Sequence, residues 1–484
     1  MRWVLKILKW LVAFVVLLAM LVAPWPLPLR SDILTVSSQG TDITFYWKPA
    51  GILGLITGQL PFFKNPNRPQ STEHVMASRV YILGGFQSDF SQNWAREGVE
   101  LIDGMRHVVL NGLDSARLDP TDVQVAHIGN FAAELFCNQG HLGGLFAALD
   151  PAFAGLPASR HEGACASGSL AALSAAAEIE AGRYELAAVV GVEMMRNVSG
   201  SQAAQFIGAP AMWSGHECVG VPHPWPHMFS DLTERYEQRY GLKSEHLVRI
   251  AEINFANAKR NPNAQTRRWS FNEHSFTEDD GANPVVSGRI RRQDCGQISD
   301  GAAVVFLASQ ERAREHARRN GIDLDQVPYI RGWGHRTAPI TYQSKIDASR
   351  AQPHLFPHIR GTIHDAFKRA EIGVAQLDGI EVHDCFTCTE YLAIDHFDIT
   401  PAGESWRAIE SGAIELNGQI PINASGGLIG GGHPVGATGV RMLLDSYKQV
   451  SGTAGEYQID GARTVATLNI GGSLTTVVSL VVGR

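Results

Sequence analysis

The chain has 484 residues, a formal net charge of −7 and 44% hydrophobic residues, a globular composition long enough for two or three domains around a large core. The mild acidity argues against a nucleic-acid partner, which needs a clustered basic face. Six cysteines, at 137, 165, 218, 295, 385 and 388, show no repeating spacing, which argues against a disulfide framework and fits a reducing compartment.

At the N-terminus, Arg2, Lys6 and Lys9 precede an uncharged run from Trp10 to Leu29. A helix from Trp3 to Ala23 would have roughly 20 residues, near the length of a bilayer span. Its apolar part before Pro24 is short, however, and Lys6 and Lys9 lie within it, as in a helix resting on the membrane surface with its lysines at the headgroups. A cleaved signal peptide is disfavoured, since a cut after Ala23 would leave Pro24 first. Residues 1–30 are therefore expected to be a hydrophobic membrane-anchor segment. In residues 31–75, "DILTVSSQGTDITFYW" alternates around a Gln-Gly turn and predicts a hairpin. The apolar but Gly/Pro-broken stretch Ala50 to Phe63 offers a second interfacial contact, and "KNPNRPQSTEH" is a polar linker. Met76 opens a folded domain, and translation beginning there is an alternative to an anchored chain.

From Met76 onward, apolar strands alternate with helical segments, an α/β pattern. "RVYILGGF", "VQVAHIGNF" and "ELAAVVGVE" (Glu185 to Glu193) read as strands, the last apolar enough to be covered on both faces. "WAREGVELIDGMRHVVLNGL" (Trp94 to Leu113) reads as one amphipathic helix. The stretch Ala164 to Ala177, "ACASGSLAALSAAA", carries no charge and belongs in the middle of a structure. A weak internal repeat pairs "GACASGSLAAL" with "GGHPVGATGVRML", and "ISDGAAVVFLAS" with "NIGGSLTTVVSL". Two similar α/β halves follow, 76–318 and 319–484. A Pro-, His- and Trp-rich lobe, about 195–296, is inserted in the first.

Three places carry candidate chemistry. Cys165 sits at the entrance to the charge-free helix, where free N–H groups and the helix dipole favour a nucleophilic thiolate; a small core cysteine is the competing reading. His433, in "GGLIGGGHPVGATG", is a candidate base between glycines that let other backbone approach. That stretch lacks the Gly-Lys-Ser/Thr ending of a P-loop and the spacing of a dinucleotide fingerprint. "EVHDCFTCTE" (381–390) is open to a zinc, redox or catalytic-loop reading. There is no second C-x-x-C to complete a zinc site, and "GHECVGVPHPWPH", with His216, Cys218, His223 and His227, stands apart, so no metal is expected. The pattern puts Cys385 in a loop after a strand and Cys388 in the first turn of a helix, a packing position.

Together, "GACASGS" around Cys165, "HDCF" at 383–386 and "GGHPVGATG" at 431–439 resemble the thiolases, and more narrowly the sterol-carrier-protein type. The resemblance runs from Met76 to Arg484 and includes "SDGAA" at 299–303. It implies a five-layer αβαβα fold of two similar halves with a loop lobe over the active site, working as a homodimer or homotetramer. It implies that Cys165 is acylated and that His433 activates it. Most thiolases carry a second cysteine where this chain has Asn469, in "LNIGGS"; in the sterol-carrier-protein type the task passes to the His-Asp-Cys-Phe cysteine, here Cys385. Claisen chemistry needs a nucleophile, an α-proton base and two oxyanion holes. The resemblance assigns the first hole to the backbone N–H groups of Cys165 and Gly471, and leaves His383 and His433 for the second. Coenzyme A is expected as cosubstrate, with no tightly bound cofactor. Among the lobe's basic residues, Lys259, Arg260, Arg267, Arg268, Arg289, Arg291 and Arg292, the expected phosphate ligands are Arg267 and Arg268; a solvated basic face explains them equally well.

The expected function is CoA-dependent acyl transfer, cleaving 3-oxoacyl-CoA or running the reverse condensation. The alternatives are a retro-aldol carbon–carbon lyase of the steroid side-chain type, against which the presence of Cys165 argues, and a catalytically silent scaffold subunit, against which intact Cys165, Cys385 and His433 argue. Positive charge ahead of a single span would place the catalytic domain outside the cytoplasm, whereas CoA chemistry wants the reducing interior. A surface-lying anchor on the cytoplasmic side resolves the conflict. Full-length protein should therefore sediment with membranes through a high-salt wash, and its full recovery in the soluble fraction would contradict the anchor.

Overall fold

The computed structural model describes residues 33–38, 41–46 and 79–484. The chain forms two compact units, Met1–Val75 and Met76–Arg484. In the first, β1 (Ile33–Ser38) and β2 (Thr41–Tyr46) make the antiparallel hairpin that their alternation predicts. The expected anchor (1–30), the apolar stretch Ala50 to Phe63 and the linker lie outside the described residues. No helix among the described residues is long and apolar enough to cross a membrane.

In the second unit, β3 (Val80–Gln87), β4 (Val125–Gly129), β5 (Ala158–His161) and β6 (Leu186–Glu193) precede the lobe. A short hairpin of β7 (Val285–Ser287) and β8 (Ile290–Arg291) lies in the lobe, and β9 (Gly301–Ala308) follows it. The remaining strands are β10 (Tyr329–Thr337), β11 (Gly379–Val382), β12 (Thr464–Gly471) and β13 (Thr476–Gly483). They form one mixed sheet in the order β11-β12-β13-β10-β3-β9-β6-β4-β5. Each half of it repeats one pattern: β4–β6 parallel, β6–β9 and β9–β3 antiparallel, matched by β11–β12 parallel, β12–β13 and β13–β10 antiparallel. The halves share an edge, which the layer reading did not anticipate: Tyr329 and Ile330 of β10 pair with Tyr81 and Val80 of β3.

Every residue of β6, β9 and β12 is buried, the consequence of helices on both faces and the reason these strands read as unbroken apolar runs. Between the half-sheets lie the helices Ser167–Glu180 and Thr438–Ser451, the two members of the repeated Gly-rich pattern. Thr438–Ser451 packs on β3, β6 and β9 on one side and on β12 and β13 on the other. Their shared core joins Ala171, Ala175, Val440, Leu443 and Leu444 to Val189, Val305, Val465 and Val478. Helix Leu101–Ser115 covers the outer face of β3 and β9, and helix Pro357–Ala370 that of β10 and β13. The layers are therefore α, β, α, β, α.

The stretch Trp94 to Leu113 is not one helix. A single turn, Trp94–Glu97, stops at Gly98 in the left-handed region (φ 69°), and a second helix starts at Leu101 behind a capping box of Glu100 and Asp103. The lobe contributes helices Pro224–Tyr240 and Ser244–Ala258, which pack against helix Thr387–His396. Phe229 of the lobe stacks on Phe386, with ring centroids 4.6 Å apart.

Candidate active site

The two central helices meet through glycines. A Cβ on Gly439 would lie 2.3 Å from the Ser169 nitrogen, and one on Gly168 would lie 2.7 Å from the Gly436 carbonyl. Only glycine permits this approach, and it sets the N-terminal ends of both helices side by side. Cys165 lies in the 3-10 turn Ala164–Ala166 that leads into one helix, and His433 lies in the loop that leads into the other. The loop after β11 adds His383, Asp384 and Cys385 from a third direction. The Cys165 sulfur and a ring nitrogen of His383 and of His433 all lie within 4.8 Å of one another. This is the one group among the described residues spaced to hold a metal ion, and the spacing equally serves a nucleophile flanked by two imidazoles.

His433 is set by Thr438. Its Nδ1 is 2.7 Å from the Thr438 hydroxyl, which itself donates to the Pro434 carbonyl at 3.0 Å. With its proton spent on Pro434, the hydroxyl accepts, so His433 carries its proton on Nδ1. The buried Nε2, which has no hydrogen-bond partner, is then a free lone pair. Burial and the nearby Arg441 push the imidazole down to about 3, so the ring is neutral.

Cys165 departs from the expectation of a thiolate poised by a helix dipole. Burial pushes its thiol up to about 12, and Glu193 and Glu162 push the same way. The N–H of Gly472 and its own N–H favour the anion but do not outweigh burial. The resting pair is therefore thiol and neutral imidazole. Gly471 ends β12 with its Cα against the Gly163 carbonyl, where a Cβ would lie 1.9 Å away, and the N–H that reaches the sulfur is that of the next residue, Gly472.

Cys385 is half-buried in the loop, and its carbonyl accepts from Gly296 at 2.8 Å. Burial and the neighbouring Cys165 hold its thiol well above the usual range. Cys388 is buried at the start of helix Thr387–His396 with its sulfur on the Phe229 carbonyl, a packing position. His383 is kept neutral by burial, by His433 and by Arg441; the two imidazoles meet edge to face, centroids 5.1 Å apart.

Buried carboxylates hold these loops. Asp384 accepts from the N–H groups of Leu428 (2.6 Å) and Ile429 (3.2 Å) and from Asn254 Nδ2 (3.0 Å), which ties the Cys385 loop to the His433 loop and to the lobe. Glu193 accepts from Phe131, Ala132 and Gly436, and burial raises its carboxyl to about 7. Asp300 accepts from Trp94, Met195 and Arg196. Arg441 bonds Glu381 (2.8 Å) and Asp445 (3.1 Å) beneath the loops.

A family model described as "Thiolase, N-terminal domain" matches residues 77–273, and "Thiolase C-terminal domain-like" matches residues 342–484. The chain belongs to the thiolase family. It is 31% identical over 397 residues to the acetyl-CoA acetyltransferase of Methanothermobacter thermautotrophicus, covering 81% of this thiolase and 96% of that relative. It is 26% identical over 412 residues to sterol carrier protein 2 of Oryctolagus cuniculus, covering 83% and 71%, in keeping with the His-Asp-Cys-Phe motif. Among solved structures, its fold is similar to an Ltp2-ChsH2(DUF35) aldolase (TM-score 0.66, 20% identity, covering 84% of this chain and 98% of that one). It is also similar to human mitochondrial 3-ketoacyl-CoA thiolase (TM-score 0.60, 15% identity, 84% and 99%).

Of the residues singled out in the sequence of this thiolase, Cys165, His383, Cys385 and His433 converge. Arg267 does not stand free for a phosphate: both its terminal nitrogens bond Asp89, at 2.7 and 2.6 Å, and one also donates to the Ala264 carbonyl. Arg268 is exposed. Sequence reasoning missed Thr438, Asn254 and Glu193. Glu193 left a signal, a lone carboxylate closing a wholly apolar strand, and Thr438 lies inside the string "GGHPVGATG"; Asn254 left none.

Because burial raises the Cys165 thiol to about 12, the free protein should show no thiolate from this residue at neutral pH. The test is the ultraviolet thiolate absorbance of wild type minus Cys165→Ala, from about pH 5 to pH 9. A flat difference is expected; a step below about pH 8 would mean a preformed thiolate–imidazolium pair.

Proposed function

We propose that this thiolase is a CoA-dependent acyltransferase that cleaves 3-oxoacyl-CoA, or runs the reverse condensation, through an acyl-enzyme on Cys165. The observation that carries the reading is the convergence of the Cys165 sulfur with two neutral imidazoles within 4.8 Å, beside a second half-buried thiol, Cys385.

In the cleavage direction the bare Nε2 of His433 takes the Cys165 proton as the sulfur attacks the 3-oxo carbonyl. Moving the proton in the same event avoids a standing charge in a site whose burial penalises one. The oxyanion falls to the backbone N–H groups at the Cys165 turn and at Gly471–Gly472. Collapse breaks the C2–C3 bond and leaves the acyl group on sulfur. The departing electron pair becomes the enolate of the shortened thioester, which faces His383 and takes a proton from Cys385. A thiol held well above its usual range keeps its proton until a base as strong as an enolate forms. The thiol of CoA then gives its proton to the Cys385 thiolate and attacks the acyl-enzyme; collapse releases acyl-CoA, and the proton that His433 took in the first step returns to the Cys165 sulfur. Arg268 is retained as a candidate contact for the CoA phosphates. The proposal includes a homodimer or homotetramer on the cytoplasmic face of a membrane, with residues 1–30 as the anchor.

The likeness to an aldolase is one of fold, and Cys165, which retro-aldol cleavage does not need, favours acyl transfer. The test is thiolysis of acetoacetyl-CoA and of a longer 3-oxoacyl-CoA. Wild type should cleave at least one, Cys165→Ala should be inactive, and Cys385→Ala should lose about 10²–10⁴-fold in kcat. Absence of thiolysis by wild type, or full activity of Cys385→Ala, would contradict the proposal.

A further inference from the structure

Asn469 stands at the junction of the three site segments, at the position where most members of the family carry a second cysteine. Its side chain is fully buried and makes three hydrogen bonds. Oδ1 accepts from the Ser169 hydroxyl at 2.8 Å. Nδ2 is 3.1 Å from the Cys165 carbonyl and 3.1 Å from His383 Nδ1.

The orientation of this amide follows from its partners. A backbone carbonyl only accepts, so the atom facing the Cys165 oxygen is the nitrogen. An amide nitrogen only donates, so His383 Nδ1 must present a lone pair. In a neutral imidazole the proton is then on Nε2, the opposite tautomer to that of His433. Among the described residues Nε2 of His383 has no protein partner, and the ring lies against Cys165 and His433.

We propose that Asn469 is a positioning residue that fixes His383 as the Nε2–H tautomer and so makes it a hydrogen-bond donor to the enolate oxygen of the substrate. The inference rests on the thiolase-type reading above. In that reading, one substitution does two things. It removes an acid/base cysteine from β12, and it configures the histidine of the loop whose cysteine takes over the proton. A cysteine at 469 would be a weak donor, and could leave the His383 tautomer unset. The division of labour between the imidazoles then has a structural cause. Thr438 accepts from His433 and makes it a base; Asn469 donates to His383 and makes it an acid-side donor. A developing enolate is stabilised by a donor already aimed at it, without reorganisation.

The direct test is nitrogen-15 NMR of protein labelled at the histidine rings, with the His383 signals assigned by their loss in His383→Gln. The expected wild-type pattern is a neutral ring protonated at Nε2. A proton on Nδ1 would overturn the proposal without any change at residue 469. The kinetic test compares two reactions in Asn469→Ala and Asn469→Asp. Exchange of the acetyl group between acetyl-CoA and a second thiol needs only Cys165 and His433; cleavage of acetoacetyl-CoA also needs the enolate. Carbon–carbon cleavage should fall about 10²-fold, with acetyl exchange falling far less, and in Asn469→Asp the ring proton should move to Nδ1. Equal losses in both reactions would mean that Asn469 merely holds the Cys165 turn. Failure of acetyl exchange in wild type would count against the acyl-transfer reading instead, while the tautomer remained readable.

Discussion

The backbones of the two central helices touch where Gly168 and Gly439 lie, with no room for a side chain on either. Everything at the site depends on that contact. Each helix begins where one half of the chain delivers a reactive residue, Cys165 in the first and His433 in the second. A Cβ on Gly439 would also come within 2.6 Å of Asn469 Oδ1, so the crossing seats the amide that orients His383. A close approach between small residues converts a repeated fold into a single site to which the halves contribute unlike groups.

A second constraint is electrostatic. The candidate catalytic groups sit in a region that disfavours charge on all of them: thiols are pushed up and imidazoles down. The charges that remain buried are structural. Arg441 lies between Glu381 and Asp445, and Asp384 is held by hydrogen bonds from backbone N–H groups and Asn254. Removing one partner from such a network leaves an uncompensated charge and is costly, which is why these residues hold the loops so firmly. Gly427 lets the backbone close on Asp384, where a Cβ would lie 2.3 Å from Oδ2. The candidate site thus rests neutral beside buried ionisable groups that are held in hydrogen-bonded networks.

Much of this was legible in the residues. Unbroken apolar runs marked β6, β9 and β12 because both faces are covered. The charge-free stretch after Cys165 marked a central helix, and the two Gly-rich strings that looked alike proved to open the two central helices. The motif cysteines and histidines were visible because the strings around them, "GACASGS", "HDCF" and "GGHPVGATG", resemble those of a known family. What sequence could not carry was set by distance in space. Trp94 to Leu113 has helical periodicity throughout, yet Gly98 and the Glu100 capping box break it. Desolvation raises the Cys165 thiol, where local context alone offered both a helix-end thiolate and a small core cysteine. Arg267 looked like a phosphate ligand until its pairing with Asp89, 178 residues away in the chain, was seen. Asn469 was visible as a missing cysteine; its partners Ser169, Cys165 and His383 come from elsewhere and had to be found by folding.

The measurement that bears most directly on acyl transfer at Cys165 is the intact mass of the protein after brief incubation with acetoacetyl-CoA, followed by peptide mapping. An added acetyl group on Cys165, absent in Cys165→Ala and still formed in Cys385→Ala when acetyl-CoA is the donor, is the expected result. Turnover without any adduct, or an adduct on another cysteine, would contradict a Cys165 acyl-enzyme.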